Sequence, residues 1–287
     1  MFFRNRPDGT RVRNAPSVRL FMPFLMPRRN DSVVYFEQKI DVSQTQDYLK
    51  RWKAENPKLP LRLFHLYVAA GVRTLHDRPR LNRFIAGKRL YQRNAIDLSI
   101  SVLKAKHDDA ELTVVKQRFD PEDGLLDTRA KVEEILSTGR QAEKTSSERE
   151  VSLLTKLPRW FIPLLFKLQR FGDYTNLLPA SLIENDPLYA SAIISHLGSI
   201  GLDPAFHHLY EHGTLPIFMV IGKIRKEPIV TPDGDIEVRP IVTVRFSFDE
   251  RVADGLYAAK AMVHFRRLVE KPWLLEQDED NGPGAPD

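Results

Sequence analysis

Between residues 241 and 248 apolar and polar side chains alternate. Val242, Val244, Phe246 and Phe248 fall on one side, Thr243, Arg245 and Ser247 on the other. A period of two predicts a strand with one face on a core. Runs rich in β-branched and aromatic residues predict further strands at 33–40, 84–91, 97–103, 111–119, 190–195, 216–226 and 236–238. Thr231-Pro-Asp-Gly234 predicts a turn between two of them. Elsewhere the period changes. A helix is predicted from Asp41 or Ser43, as N-cap, to Asn56, where Pro57 stops it. Leu63, Leu66, Tyr67, Ala70 and Val72 carry the three-to-four spacing of a second helix over 61–75. A charged helix is predicted over 127–143 and another over 252–270, ended by Pro272. Residues 142–150 read as a polar link. This is an α/β mixture without regular βαβ alternation. It contains neither a GxGxxG nor a Walker A loop to support a nucleotide fold.

The 287 residues, 42% hydrophobic, suffice for one large domain with a sizeable core. Charged residues make up 28%, which argues against global disorder. Cysteine is absent, so disulfides, cysteine nucleophiles and thiolate metal sites are excluded. No apolar run approaches the length of a membrane span, and the run at 20–26 lacks a small-residue cleavage site after it. A cytoplasmic protein is expected. The net charge of +5 is uneven. Residues 1–30 hold Arg4, Arg6, Arg11, Arg13, Arg19, Arg28 and Arg29 against Asp8 alone, while 276–287 hold only acids. The expected organisation is a basic arm over 1–32, a main domain over 33–275 and a disordered acidic tail over 276–287. The arm is expected to pack on the fold or on a neighbouring subunit rather than on nucleic acid.

Residues 151–178 repeat Leu153, Leu154, Leu157, Trp160, Phe161, Leu164, Leu165, Leu168 and Phe171 at helical spacing, with Lys156, Arg159, Lys167 and Arg170 between them. The pattern suits a core or oligomer-facing helix, or a helix lying on a membrane surface. Pro158 and Pro163 are expected to break it into short pieces. His207, His208 and His212 form a cluster, the last two at the spacing of metal ligands on one helix face. Packed or surface histidines are the commoner outcome, and no metal is expected.

The residues at 249–255, Asp-Glu-Arg-Val-Ala-Asp-Gly, sit where the alternating strand meets the last helix. On spacing alone, Arg251 and Asp254 form a structural ion pair. The stretch also resembles the Asp-His-Arg-x-x-Asp-Gly signature of the dihydrolipoyl acyltransferase catalytic core of 2-oxo acid dehydrogenase complexes. That family shares its fold with chloramphenicol acetyltransferase. Ser191-Ala-Ile-Ile-Ser-His-Leu-Gly198 is similar to the family's Thr-Phe-Thr-Ile-Ser-Asn-Leu-Gly stretch. Phe218–Gly222 resembles the strand after it, Pro79-Arg-Leu-Asn82 the family's Pro-x-Leu-Asn, and 97–102 the strand beyond. These motifs occur in the family's order across most of 33–275.

The resemblance implies a two-layer α+β sandwich with a large mixed sheet and helices on one side. It implies CoA thioester as co-substrate, no metal, and a homotrimer with sites between subunits. By resemblance Ser195 takes the position that hydrogen-bonds the tetrahedral oxyanion, and Asp254 that of the signature's last acid. Arg251 and Asp254 are expected to hold the corner. Residues 1–32 leave room for neither a lipoyl nor a partner-binding domain, so an acyl carrier is expected in trans, as acyl-CoA or another protein's lipoyl arm.

Glu250 stands where the signature has its histidine. A carboxylate near 4.3 is about four decades weaker toward a thiol near 8.5 than the equality of pKa values would require, roughly 5–6 kcal/mol of driving force. Altered or lost acyltransferase activity is the primary expectation. A non-catalytic trimeric binding module and a peripheral membrane protein are the alternatives. His196, beside Ser195, is the nearest substitute base, but consecutive strand residues face opposite ways.

Overall fold

In a computed structural model the structure describes residues 6–104, 112–141 and 157–276. Six strands form the main sheet. They are β2 (Val33–Asp41), β5 (Ile96–Leu103), β6 (Leu112–Phe119), β7 (Ala192–His196), β8 (Ile217–Val230) and β9 (Ile236–Asp249), in the order β2-β9-β8-β7-β5-β6. Strand β7 runs parallel to β5 and β8, and the other pairings are antiparallel. A second sheet, β1-β4-β3, joins β1 (Gly9–Arg11) of the arm to the hairpin of β3 (Arg83–Ala86) and β4 (Arg89–Arg93).

Helices α2 (Ser43–Glu55), α3 (Leu63–Asp77), α4 (Leu125–Gln141) and α7 (Gly255–Glu270) cover one face of the main sheet. Their apolar stripes meet the alternating residues predicted from the sequence. Val242, Val244, Phe246 and Phe248 are all buried with Leu66, Ala70, Ala261 and Phe265. Phe246 meets Phe265 edge to face at 5.6 Å, the arrangement aromatic quadrupoles favour. On the other face Ile193, Phe218 and Val220 pack with Leu209 and Leu215 from the non-helical stretch after β7. Three further helices lie among the described residues: α1 (Ser17–Leu25), α5 (Phe161–Thr175) and α6 (Ala180–Asn185). Among the described residues no helix is long and apolar enough to cross a membrane.

Several expectations change. Residues 84–91 form a hairpin rather than one strand, with Gly87 and Lys88 both at positive φ in a two-residue turn. Residues 236–248 form one continuous strand. Pro240 is tolerated because it lies beyond β2's last pair, while its carbonyl accepts from Val42 N–H. The last helix starts at Gly255, not 252. Pro163 falls in the first turn of α5, where its missing N–H costs nothing, so it does not break that helix, whereas Pro158 lies before the helix begins. None of its residues is buried, so it is not part of this chain's core. The polar link at 142–150, residues 151–156 and the tail beyond 276 lie outside the described residues.

Candidate active site

Ser195 lies near the C-terminal end of β7, paired with Val220. The pleat puts it on the side of Ile193, away from the helices, and His196 on the side of Ile194, toward them. The chain then turns sharply through residues 197–200. A Cβ on Gly198 would come 2.3 Å from the Gly222 carbonyl oxygen, so only glycine lets this turn lie against β8. Ser195 Oγ has no hydrogen-bond partner among the described residues.

Both Ser195 and His196 line a cavity of about 790 Å³. Its walls come from the start of α3, the ends of β5 and α4, the 197–200 turn and the middle of β8. Arg62, Lys104, Arg140 and Lys223 contribute cations, and no carboxylate is among the described residues lining it. The His196 ring stacks on Phe64, with centroids 5.4 Å apart and planes 1° from parallel. Burial holds its pKa below the ordinary imidazole value. His65, at the start of α3, also lines the cavity and was not singled out from the sequence. Its Nδ1 accepts from Arg62 N–H at 3.1 Å, and its Nε2 stands 3.0 Å from Glu133. Burial pulls it down to about 4, against the opposing pull of Glu133. A histidine on an otherwise apolar helix stripe was the available signal.

The second group of residues forms the corner after β9. Asp249, 1% exposed, accepts from Arg251 Nε at 2.8 Å and Nη2 at 2.7 Å, and from Ser32 Oγ at 3.0 Å. Arg251 also donates to the Met26 carbonyl at 2.9 Å. The expected Arg251–Asp254 pair is therefore not the one formed. Arg251 pairs with Asp249, the last residue of β9, and Asp254 caps α7, accepting from Tyr257 N–H at 2.8 Å. Glu250, between the paired residues, is half-buried. Its N–H donates to Ser32 O at 3.0 Å, and its carbonyl accepts from Arg19 on α1. The Arg251 guanidinium is thus turned to Asp249 and Met26, and the Glu250 carboxylate has no partner among the described residues.

The two groups do not meet within one chain. Ser195 pairs with Val220 and Val220 with Arg245, and Glu250 lies five residues beyond Arg245. Five residues at about 3.4 Å each and two strand spacings of about 4.8 Å separate Ser195 from Glu250 by roughly 20 Å. Glu250 does not line the Ser195 cavity. Val252, Ala253 and Asp254 line a different one, of about 160 Å³, with Arg19 and Pro16.

The histidine cluster is not a helix face, since 202–210 is non-helical. His207 stacks on Phe218 with centroids 4.0 Å apart, and His212 Nε2 lies 2.6 Å from Asp186.

Residues 181–276 match the family model "2-oxoacid dehydrogenases acyltransferase (catalytic domain)". The dihydrolipoyllysine-residue acetyltransferase component of the pyruvate dehydrogenase complex of Staphylococcus aureus is 38% identical over 86 residues, 30% of this chain. The match spans about a fifth of that protein, 19% of its length. A probable dihydrolipoamide acetyltransferase from Listeria monocytogenes has a similar structure, with a TM-score of 0.58 and 18% identity, covering 96% of this chain and 99% of the other. The dihydrolipoamide acetyltransferase of Azotobacter vinelandii gives a TM-score of 0.61 at 18% identity, covering 92% and 93%. That structure concerns the catalytic role of a serine, a histidine and an asparagine. Over its C-terminal third the chain is thus similar in sequence to this acyltransferase family, and over most of its length it shares the fold of the solved dihydrolipoamide acetyltransferases.

Proposed function

We propose that this chain is a CoA-dependent acyltransferase-like protein that works as a homotrimer, each site formed by the Ser195 cavity of one copy and the Glu250 corner of the next. The observation that carries this reading is the roughly 20 Å between the two groups in a single chain, each left with an unpartnered functional oxygen. A site that needs both must join two copies.

In this reading Arg62, Lys104, Arg140 and Lys223 hold the phosphates of a CoA thioester, and the cavity walls orient its acyl end. The acceptor attacks the thioester carbonyl, and the Ser195 hydroxyl donates to the oxyanion as the tetrahedral intermediate forms. Glu250, in the position of the signature's histidine, receives the acceptor proton and passes it to the CoA sulfur as the intermediate collapses, so the acyl–sulfur bond breaks and CoA leaves as the thiol. A carboxylate is a poor base for a thiol, so transfer to thiols is slow or lost. The acyl group comes from free acyl-CoA or from another protein's lipoyl arm, and the cysteine-free chain works in the cytoplasm. Asp254 and Arg251 act only by fixing the corner. His196 stacks on Phe64 on the opposite side of the strand from Ser195 and serves as a wall of the cavity.

Native mass spectrometry and calorimetry with CoA test this reading. A trimer that binds CoA, with affinity reduced at least about tenfold by Arg140→Glu or Lys223→Glu, is expected. A trimer that binds no CoA makes the chain a non-catalytic assembly module. A monomer removes the interfacial site altogether.

A further inference from the structure

The acyl-transfer reading leaves an extended apolar surface unused. Helix α5 has no buried residue although it carries five phenylalanines, leucines and tyrosines at the surface. Leu168 is 65% and Phe171 61% exposed, and Trp160, immediately before the helix, is 74% exposed. Helix α1 repeats the pattern with Val18, Phe21 and Leu25 exposed at three- and four-residue spacing. An amphipathic helix of a lone soluble domain turns such a stripe inward. Here both are turned out.

The fold brings these distant segments to one place. The ammonium of Lys88 lies 5.1 Å from the Phe24 ring of α1. On the other side of the same turn, a Cβ on Gly87 would stand 2.3 Å from the Tyr174 carbonyl oxygen of α5. The hairpin tip is therefore held between the two helices. Arg11, Arg13, Lys88 and Arg89 line a cavity of about 600 Å³ there with Phe24 and Tyr174, and no carboxylate is among the described residues lining it. Arg159, Lys167 and Arg170 lie before and along α5. The single acid of α5, Asp173, is engaged by Arg6 at 2.8 Å.

We propose that α1, the Gly87–Lys88 turn and α5 together dock the protein on an anionic lipid bilayer. Aromatic and aliphatic side chains would enter the boundary between headgroups and acyl chains, while the arginines and lysines around them meet lipid phosphates. Charge selects this occupant: cations surround the apolar side chains, and the one acid of α5 is already engaged by Arg6, which suits an anionic surface.

The test is co-sedimentation of the full chain with phosphatidylcholine vesicles, and with vesicles that also contain phosphatidylglycerol, at low and high salt. Native mass spectrometry is run on the same samples. Retention on the anionic vesicles alone, lost at high salt, is expected. The variant Lys167→Gln/Arg170→Gln should bind roughly thirtyfold more weakly, the weight of two basic residues at an anionic surface. Leu168→Asp/Phe171→Asp should abolish binding, and both variants should keep the oligomeric mass and CoA affinity of the parent. Absence of retention at low salt overturns the proposal, as does equal retention on neutral vesicles. A lowered oligomeric mass in the Leu168→Asp/Phe171→Asp variant also overturns it, by assigning the face to a second copy. Because the substituted side chains are exposed, folding is not at stake, and the glutamine variant changes no apolar contact.

Discussion

Ser195 and Glu250 stand at opposite ends of the same group of strands. Ser195 is near the C-terminal end of β7, and Glu250 is past the end of β9, level with the start of β7 and β8. The sheet fixes this separation through two sets of backbone hydrogen bonds, so no side-chain motion within one chain closes it. Each residue is nevertheless presented well. The 197–200 turn seated against Gly222 holds the serine, and the buried Asp249–Arg251 pair holds the glutamate's backbone.

In the proposed reading Glu250 stands at the base position, where the chemistry is most open to change. Replacing Glu250 by histidine supplies a group titrating near neutrality, and general bases of that kind contribute about a hundredfold or more. The Glu250→His variant, assayed with acyl-CoAs and a thiol acceptor, should exceed the parent by that margin. Adding Ser195→Ala should remove about a hundredfold again, the usual weight of one oxyanion donor. Equal rates for parent and Glu250→His would show that the corner does not face the reacting atoms.

His65 makes a pH prediction. Its pKa, about 4 in the fold and about 6.5 when unfolded, is lowered by burial and by Arg62 and Arg129, against Glu133. Below pH 6.5 the unfolded chain binds a proton that the fold resists, so stability falls as pH drops from about 6.5 to 4 and is fully present above that range. The loss amounts to about 3 kcal/mol. Urea midpoints measured across this range should show the slope in the parent and a flatter one in His65→Phe. An unchanged slope would place the titrating group elsewhere.

The Asp249–Arg251 pair is nearly unexposed at 1% and 3% of the side chains. Removing one partner leaves a buried charge, so Arg251→Met should destabilise the chain by about 3–5 kcal/mol in urea unfolding. Asp249 also faces the buried Arg29 at 3.9 Å, so Asp249→Leu/Arg251→Met, which strips Arg29 of that carboxylate, should stay destabilised. Arg251 also binds the Met26 carbonyl, so the single variant should speed proteolysis of the arm. A loss under 1 kcal/mol would mean that solvent reaches the pair.

The sequence made the core of this fold legible wherever one residue's burial follows from its neighbours' spacing. The alternation at 242–248 and the stripe of α3 are local patterns, and both face the core as expected. Three features escaped for physical reasons. Lys88 is an unusual residue at positive φ, so its turn was hidden inside an apparent strand. Pro240 resembled a strand breaker because the side of β9 it leaves unpaired depends on where β2 ends. Arg251 chose Asp249 over Asp254 because the residues after β9 turn away from strand geometry, and the carboxylate of Asp254 is spent on the α7 N-terminus. At the site, Ser195 and Glu250 could be named from motif residues, but their separation could not. Strand register across β7, β8 and β9 is a long-range property absent from any one segment.

Chemical cross-linking tests the interfacial site most directly, because the chain has no cysteine of its own. Ser195→Cys and Glu250→Cys chains are co-refolded and treated with a bis-maleimide too short to span the roughly 20 Å within one protomer. Covalent pairs containing one chain of each kind are expected, and neither variant alone should cross-link. A Ser195→Cys/Glu250→Cys chain that closes on itself, or mixed chains that never join, would contradict a shared site between copies.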